Sequence, residues 1–300
     1  MMHATYAGVN AAVMTAFNPD LSINYQKSVA HCHWLLDNGC HGLAILGTTG
    51  ETNSLSLEER ETLLEKAVES GIPAAKLLPG TAACDIHSAV RLTKHAEKLG
   101  CKGVLLLPPF YYKSPSLNGL VNYYSEIIER AGGEIKIYLY HFPQQSAVPI
   151  TPELIAILMD KYPDKIKGIK DSSGDAANTK TYIDRFAAQG FEVYTGSDAD
   201  FLHMLNIGAA GCITAMTNLT SSLARQVYDH AGTETGQQAQ IRLAAQRKTL
   251  AVADTIPAVK AVMSQLAHDP QWETVRPPLC MLPTALKQQI VSSFTGLAAL

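Results

Sequence analysis

The chain has 300 residues, of which 47% are hydrophobic and 17% charged, enough to bury the core of one large α/β barrel or of two ordinary domains. Its 24 Lys and Arg against 27 Asp and Glu give a net charge of −3, which argues against a nucleic-acid or anionic-membrane partner. No stretch approaches the roughly 18 apolar residues of a membrane span, and the first ten residues lack a signal-peptide layout, so we expect a cytoplasmic protein.

Six cysteines are scattered along the chain without a C-x-x-C pair, a usage typical of reduced thiols in the cytosol. The stretch His31-Cys32-His33, followed by Cys40 and His41, invites comparison with a zinc site. On a helix, however, His31 and His33 would point away from each other, whereas metal ligands must converge on one point. We therefore interpret the cluster as helix packing and expect no metal.

Eight short apolar runs alternate with longer segments of helical period. Most runs are apolar at nearly every position, as parallel strands covered on both faces require. The pattern predicts eight parallel strands. In chain order the runs are residues 8–14, 42–46, 75–80, 103–107, 135–140, 166–170, 191–196 and 211–215.

Three of the intervening segments begin with recognisable helix caps. Ser56 and Glu59 have the spacing of a capping box, in which each side chain bonds the other residue's backbone amide. Thr151 precedes Pro152, which suits a first helical turn because that turn leaves its N–H groups unused. A third helix is predicted to begin after Asp85 and to stop by Gly100.

Eight strand–helix units that close on themselves form a (β/α)8 TIM barrel. A doubly wound open sheet is the alternative, but eight regular units and the lack of a dinucleotide-binding fingerprint favour closure. After residue 218 the pattern is helical only. We expect a barrel domain at 1–231 and a C-terminal helical extension at 232–300 that packs on the barrel. The last predicted helices are 219–231, 237–254, 255–268 and 278–295.

Reactive groups of a closed barrel gather where the strands end, and the second run ends in the sequence LGTTGET. Gly47 and Gly50 allow a tight turn that exposes backbone N–H groups beside the hydroxyls of Thr48 and Thr49. Such a cradle suits a small carboxylate better than a triphosphate, because the lysine of a phosphate-binding loop is absent.

Two further strand ends carry groups of interest. Tyr140 closes the fifth run, where it could transfer protons if another hydroxyl shared its hydrogen bond, or could simply be a packed aromatic residue. The eighth run begins at Gly211 and continues as GCITAMTN, so its backbone can approach a ligand in the barrel mouth closely.

Lys170 is the last residue of the sixth run, a position where an amine is removed from water. It could instead extend to the surface or pair with Asp171 or Asp175. Burial disfavours the ammonium form, and a neutral amine is a nucleophile that forms an imine with a ketone. Lys170 is therefore our candidate for Schiff-base chemistry.

With these residues the sequence resembles the N-acetylneuraminate lyase and dihydrodipicolinate synthase family, the pyruvate-dependent class I aldolases. The resemblance covers the barrel, roughly residues 5 to 220, and the helical extension matches as well. It depends on five motifs in family order: GTTGE at 47–51, PPFYYKSP at 108–115, YHFP at 140–143, GIKDSSGD at 168–175 and GAAGCITAMTN at 208–218.

The resemblance implies a role for each matching residue. Lys170 would form the Schiff base with pyruvate or a longer 2-oxo acid, and Tyr140 would be the acid/base. Thr48 and Thr49 would bind the carboxylate, and Ile213 would present a main-chain carbonyl beside the imine. Thr48 would also link Tyr140 to a tyrosine of a neighbouring subunit, either Tyr112, which we favour, or Tyr111. It further implies a homotetramer built from dimers and no metal or organic cofactor.

Departures from the family pattern restrict the substrate. Gln145 stands where dihydrodipicolinate synthases carry an arginine that holds the aldehyde's carboxylate, and glutamine lacks the charged fork. His141 replaces the usual asparagine, and Ala215 stands where sialic acid lyases have a serine. Ser172 and Asp198 remain as possible hydroxyl-binding groups.

We therefore predict reversible aldol cleavage of a 2-keto-3-deoxy sugar acid to pyruvate and an aldehyde. Dehydration through the same imine is an alternative, as is dihydrodipicolinate synthase itself, from pyruvate and aspartate semialdehyde, which Gln145 argues against. A non-catalytic sugar-acid binding protein on the same scaffold is the alternative from another class.

Overall fold

Parallel strands form the centre of the fold in the computed structural model, which describes residues 5–294. Within that range seven strands pair in the order β2-β1-β7-β6-β5-β4-β3, and every pairing is parallel. The order brings β2 and β3 to the two edges. The strands are β1 (Gly8–Ala12), β2 (Gly42–Ala44), β3 (Gly103–Leu106), β4 (Lys136–His141), β5 (Ile166–Asp171), β6 (Glu192–Thr195) and β7 (Gly211–Thr214).

The third apolar run, 75–80, is not a regular strand, which corrects one of the eight predicted strands. It forms only two isolated parallel bridges, Leu43 with Leu77 and Gly80 with Leu105. Pro79 has no N–H to donate and so interrupts the ladder. The bridges nevertheless join β2 to β3, and the barrel that the sequence predicts is closed at this point. A side chain at Gly80 would not fit, because its Cβ would lie 2.2 Å from the carbonyl oxygen of Leu46.

Helices follow the strands and cover the outside of the barrel. None of those between residues 5 and 294 is both long and apolar enough to cross a membrane. Short 3₁₀ helices occupy Thr52–Ser54, Ala74–Lys76, Ala187–Gln189 and Pro270–Glu273. The α-helices are α1 (Tyr25–Asp37), α2 (Leu57–Glu69), α3 (Ile86–Lys98), α4 (Leu117–Ala131), α5 (Pro143–Ser146), α6 (Pro152–Lys161), α7 (Ala176–Phe186), α8 (Phe201–Asn206), α9 (Thr217–Asp229), α10 (Glu234–Leu250), α11 (Thr255–Leu266) and α12 (Thr284–Ser293).

The predicted helix caps are confirmed. Ser56 and Glu59 form the reciprocal capping box of α2, Asp85 accepts a hydrogen bond at the start of α3, and Thr151 caps α6. The last predicted helix was placed too early, because α12 begins at Thr284 and not at residue 278. Pro283 lacks the N–H that a helix running from 278 would need there.

The extension packs on the barrel through an apolar cluster of its own. Met14, at the end of β1, and Met216, before α9, contact buried residues of α11 and α12, among them Val259, Met263 and Ile290. Burying each such side chain stabilises the fold by roughly 1.5 to 3 kcal/mol relative to leaving it exposed. The extension is thus held against the end of the barrel where β1 and β7 stop.

Candidate active site

A cavity of about 420 Å³ opens at the carboxyl ends of the strands, the end at which barrels carry their reactive groups. Residues from β4, β5 and β7, from the loops after β2 and β6, and from the C-terminal extension surround it. Eight residues predicted from the sequence line this cavity: Thr48, Thr49, Tyr140, Gln145, Lys170, Ser172, Asp198 and Ile213.

Lys170 lies on β5 with its side chain inside the barrel, and only 5% of the residue is exposed. Its Nζ lies 4.2 Å from the centroid of the Tyr140 ring, and within residues 5–294 it forms no ion pair. The pairing considered from the sequence does not occur. Asp171 accepts hydrogen bonds from Asn178 and Thr179 of α7, and Asp175 caps that helix. The amine is therefore left to face the cavity.

Tyr140 is the neighbour of Lys170 across the β4–β5 ladder. Its hydroxyl lies 3.3 Å from Oγ1 of Thr48, and either oxygen can be the donor. One layer further into the barrel, Tyr138 and Tyr194 donate hydrogen bonds to the buried carboxylate of Glu192. These hydrogen bonds give the buried carboxylate of Glu192 its partners inside the barrel.

The loop after β2 is the segment in which the sequence predicts an anion cradle. Leu46 and Glu51 adopt left-handed backbone conformations, both with φ of 58°, which cost free energy for residues other than glycine. Between them the backbone turns so that Glu51 donates to the carbonyl of Thr48. In the part of the chain that the structure describes, the N–H groups of Thr48 and Thr49 donate to no protein acceptor, which leaves both available to a carboxylate.

A buried ion pair holds this loop in place. Glu51 accepts a hydrogen bond from Nζ of Lys260 on α11, and both side chains are fully inaccessible to solvent. Lys260 also donates to the carbonyl of Thr274 at 2.8 Å, and the second carboxylate oxygen of Glu51 accepts from the backbone of Arg276 at 2.9 Å. The extension therefore stabilises the loop that carries Thr48 and Thr49.

Replacing Lys260 with methionine should lower the free energy of unfolding by about 3 kcal/mol, because the Glu51 carboxylate would stay buried without its cation. Denaturation by urea measures this loss. The double variant E51Q/K260M removes both charges and should recover much of the stability. A double variant that is no more stable than K260M would contradict the proposed cause.

Asp198 lies in the loop after β6, fully enclosed beside the cavity. Its Oδ1 accepts a hydrogen bond of 2.5 Å from Oγ1 of Thr214. Burial raises the pKa of Asp198 to about 6, against the opposing effects of that bond and of the charges of Arg247 and Lys170. The carboxyl group can therefore accept or donate a hydrogen bond to a substrate hydroxyl within the ordinary pH range.

Because the folded-state pKa of Asp198 lies above its ordinary value of 3.8, the folded protein binds this proton more tightly than the unfolded chain. The charged form thus costs stability above pH 6, and the cost vanishes as the pH falls toward 3.8. We expect D198N to be more stable than the wild type at pH 8, by roughly 1 to 3 kcal/mol, and to keep only about a third of that advantage at pH 4.5. Urea denaturation at both pH values measures this difference in stability, with D200N, at an exposed position, as the control. Equal stability of D198N and the wild type at pH 8 would contradict the prediction.

Ser172 and Ile213 also line this cavity. Ser172 packs so closely on Gly196 that a Cβ there would lie 2.1 Å from its Oγ, which explains the glycine at the end of β6. Gln145, on α5, reaches the cavity from its rim. His141 does not reach it, because its Nδ1 accepts a hydrogen bond from the backbone of Ile150 at 3.0 Å.

The two tyrosines expected to complete a proton relay lie away from the cavity. Tyr111 and Tyr112 are 73% and 78% exposed and pack against each other with ring centroids 5.3 Å apart. Within the single chain neither contacts Thr48, so the assignment of either residue to a relay stays a prediction. Large exposed aromatic residues are typical of surfaces that bind another protein.

The histidine–cysteine cluster packs as the helical interpretation predicts. Nε2 of His31 lies 2.9 Å from Oδ1 of Asn218, and burial lowers the pKa of His31 to about 4. His33 instead contacts the hydroxyl of Ser70. In residues 5–294 no group of three or more His, Cys, Asp or Glu side chains could hold a metal ion.

Sequence reasoning missed the contribution of the C-terminal extension to the cavity. Arg247 of α10, together with Asp254 and Thr255 at the start of α11, lines the side that β-strand ends do not reach. These residues belong to amphipathic helices without a motif, and strand-end reasoning does not address them. The missed signal was an arginine two turns after Gln240 on the same helix face.

Comparisons with a family model, with curated relatives and with solved structures all identify the same family. The model of the dihydrodipicolinate synthetase family matches residues 5–295. An uncharacterized DapA-like lyase of Chloroflexus aurantiacus is 34% identical over 278 residues, which cover 92% of this chain and 91% of the relative. A 4-hydroxy-tetrahydrodipicolinate synthase of Desulforamulus reducens is 31% identical over 229 residues, 76% of each protein. The crystal structure of dihydrodipicolinate synthase from Agrobacterium tumefaciens has a TM-score of 0.89 at 26% identity, covering 96% of this chain and 98% of that one.

Proposed function

The chain belongs to the dihydrodipicolinate synthetase family of lyases, and from this premise we propose that it cleaves a 2-keto-3-deoxy acid to pyruvate and an aldehyde through a Schiff base on Lys170. The observation that carries the proposal is the buried amine of Lys170 beside the Tyr140–Thr48 hydrogen bond, with no acid paired to it in residues 5–294. A structural lysine at such a depth needs an acidic partner, as Lys260 has in Glu51.

The reaction begins when the neutral amine of Lys170 attacks the C2 carbonyl carbon of the substrate. The carbinolamine loses water to give a protonated imine, and Tyr140 transfers the protons of this step with the help of Thr48. The N–H groups and hydroxyls of Thr48 and Thr49 hold the C1 carboxylate, and the carbonyl of Ile213 lies beside the imine.

Bond cleavage follows from the imine. Tyr140 removes the proton of the C4 hydroxyl, the C3–C4 bond breaks, and its electron pair moves into the iminium group to form an enamine. The aldehyde departs, C3 is protonated, and water hydrolyses the imine to release pyruvate and regenerate Lys170. Ser172 and Asp198 bind hydroxyls of the aldehyde half, and the reaction requires no organic cofactor.

The second candidate is the synthase reaction, the condensation of pyruvate with aspartate semialdehyde. The name of the Desulforamulus reducens relative favours it. Gln145 argues against it, because its amide offers no charged fork to the carboxylate of the aldehyde. Dehydration is the third outcome: if C3 loses a proton and C4 loses its hydroxyl, the same imine yields water and no pyruvate.

The quaternary structure of the active protein is part of the proposal. We infer a homotetramer built from dimers, in which Tyr112, or alternatively Tyr111, of one subunit completes the relay through Thr48 of its neighbour. Their high exposure in the single chain supports a contact with another subunit. All six cysteines lie in the described residues and are unpaired, which supports a reducing compartment, the cytoplasm.

A panel of 2-oxo acids tests the assignment of the reaction. Incubation with 2-keto-3-deoxy acids should release pyruvate, whereas pyruvate with aspartate semialdehyde should be consumed slowly or not at all. Substrate loss without pyruvate would identify a dehydratase, and rapid condensation with aspartate semialdehyde would identify the synthase. A protein that binds these acids but neither converts them nor forms an adduct with pyruvate would be a binding protein.

A further inference from the structure

Arg247 supplies a cationic group to the cavity that the proposed reaction does not use. It lies on α10, which is outside the barrel, and it lines the same cavity as Lys170 and Asp198. Its Nη1 is shielded from solvent and has no hydrogen-bond partner in residues 5–294. Nη1 itself is closed to a ligand as it is to water, but the guanidinium carries further N–H groups and has no acidic partner in residues 5–294, so a ligand acceptor that reaches them from the cavity would gain affinity.

The position of Arg247 is set by the packing of α10. Gln240 donates to the carbonyls of Asp198 and Ala199 at 2.9 and 2.8 Å and accepts from the backbone of Leu202 at 2.9 Å. Two of these bonds fix the helix to the loop that carries Asp198, and the third fixes it to the start of α8. Seven residues later, on the same face of the helix, Arg247 reaches the cavity. The packing of α10 thus determines the direction of the Arg247 side chain.

The two ends of the cavity have different chemistry. At the barrel end, Thr48 and Thr49 offer neutral donors to the carboxylate beside the reacting carbonyl. At the extension end, Arg247 offers a planar charged fork, which matches a carboxylate through two parallel hydrogen bonds. Asp198 lies near enough for the charge of Arg247 to lower its pKa, but the two form no ion pair, and the Asp198 carboxylate already accepts from Thr214.

We propose that Arg247 is a specificity-determining residue that binds a second carboxylate, at the end of the substrate distant from the 2-oxo acid. The substrates are then 2-oxo dicarboxylic acids, and the aldehyde released by cleavage is itself an acid. This inference rests on the proposed function, because it takes the 2-oxo end to be bound at Lys170. It also accounts for Gln145: the charged contact to the aldehyde half comes from α10 and not from α5.

Capture of matched 2-oxo acids tests whether Arg247 binds a second carboxylate, and it does not require turnover. The protein is incubated with 2-oxoadipate or with 2-oxohexanoate, which differ only in a terminal carboxylate or methyl group, and any imine is reduced with cyanoborohydride. The shorter pair, 2-oxoglutarate and 2-oxopentanoate, covers a second spacing. Intact mass against ligand concentration gives the half-saturating value. We expect the dicarboxylate of one pair to be captured at a concentration about tenfold lower or more.

Two variants identify the source of the preference. R247M should lose it, whereas R242M, which removes an exposed arginine of the same helix, should keep it. Equal capture of both members of each pair by the wild type would overturn the inference. It would also be overturned if R247M weakened the capture of pyruvate and of every other acid to the same extent. Capture of pyruvate without any preference leaves the proposed function standing, whereas failure to capture pyruvate overturns the function and the inference together.

Discussion

Replacing Lys170 with alanine is expected to abolish turnover of 2-keto-3-deoxy acids, with a loss of at least about 10⁴-fold in kcat. In the proposed mechanism the imine is the electron sink for every later step, and no other lysine lines the cavity formed by residues 5–294. The loss should not be accompanied by a loss of stability, because Lys170 makes no ion pair there. Pyruvate release, measured with a coupled dehydrogenase, gives the rate.

Lys167→Ala is the matched control for this experiment. Lys167 lies on the same strand with the opposite orientation, and its Nζ donates to the carbonyl of Gly190 on the outer side of the barrel. The control should keep activity close to that of the wild type. If K170A retained more than a few per cent of the wild-type rate, imine formation at Lys170 could not be the route.

The second large effect is expected for Tyr140→Phe, about a 10³-fold fall in kcat, within the range typical of a general acid/base. Phenylalanine keeps the ring beside Lys170 but removes the hydroxyl that lies 3.3 Å from Thr48. Pyruvate should still be captured by cyanoborohydride after long incubation, because imine formation is slowed and not prevented. The rate of pyruvate release and the final extent of capture are therefore measured side by side.

Tyr124→Phe serves as the control for removing a tyrosine hydroxyl elsewhere. Tyr124 is fully buried in α4, and its hydroxyl has no partner in the described residues, so its loss should change neither kcat nor stability greatly. Should Y140F and Y124F have the same kcat, the hydroxyl of Tyr140 would have no part in proton transfer.

The sequence alone was sufficient for those features of the site that lie at strand ends. In a parallel barrel every strand points its carboxyl end to the same opening, so Thr48, Tyr140, Lys170 and Ile213 converge once the strands are placed. The positions of Tyr140 and Lys170 followed from their place at the ends of apolar runs, and that of Thr48 from the turn after the second run. Ile213 lies inside its run and was named from the family resemblance. The direction of Lys170 followed from the alternation of side chains along β5.

Features that depend on packing between distant segments were not predictable in this way. Arg247 reaches the cavity because Gln240 binds the loop after β6, a contact between residues about forty positions apart. The burial of Lys260 depends on Glu51 in the same manner. Local patterns predict that α10 and α11 are helices, but not which faces meet the barrel.

At the third apolar run the local pattern predicts a strand that does not form, and yet the barrel is preserved. Its composition is that of a strand, yet Pro79 prevents a continuous ladder. The neighbouring strands still determine its path, so the barrel closes with two bridges. The proposed relay cannot be judged from one chain, because Tyr112 or Tyr111 would act from a second copy.

The most direct test of the central claim is reductive capture of pyruvate followed by peptide mapping. The protein is treated with pyruvate and cyanoborohydride at neutral pH and digested, and the modified peptide is sequenced by mass spectrometry. We predict a single adduct, on Lys170. The absence of any adduct, or one on another lysine with Lys170 unmodified, would contradict the account.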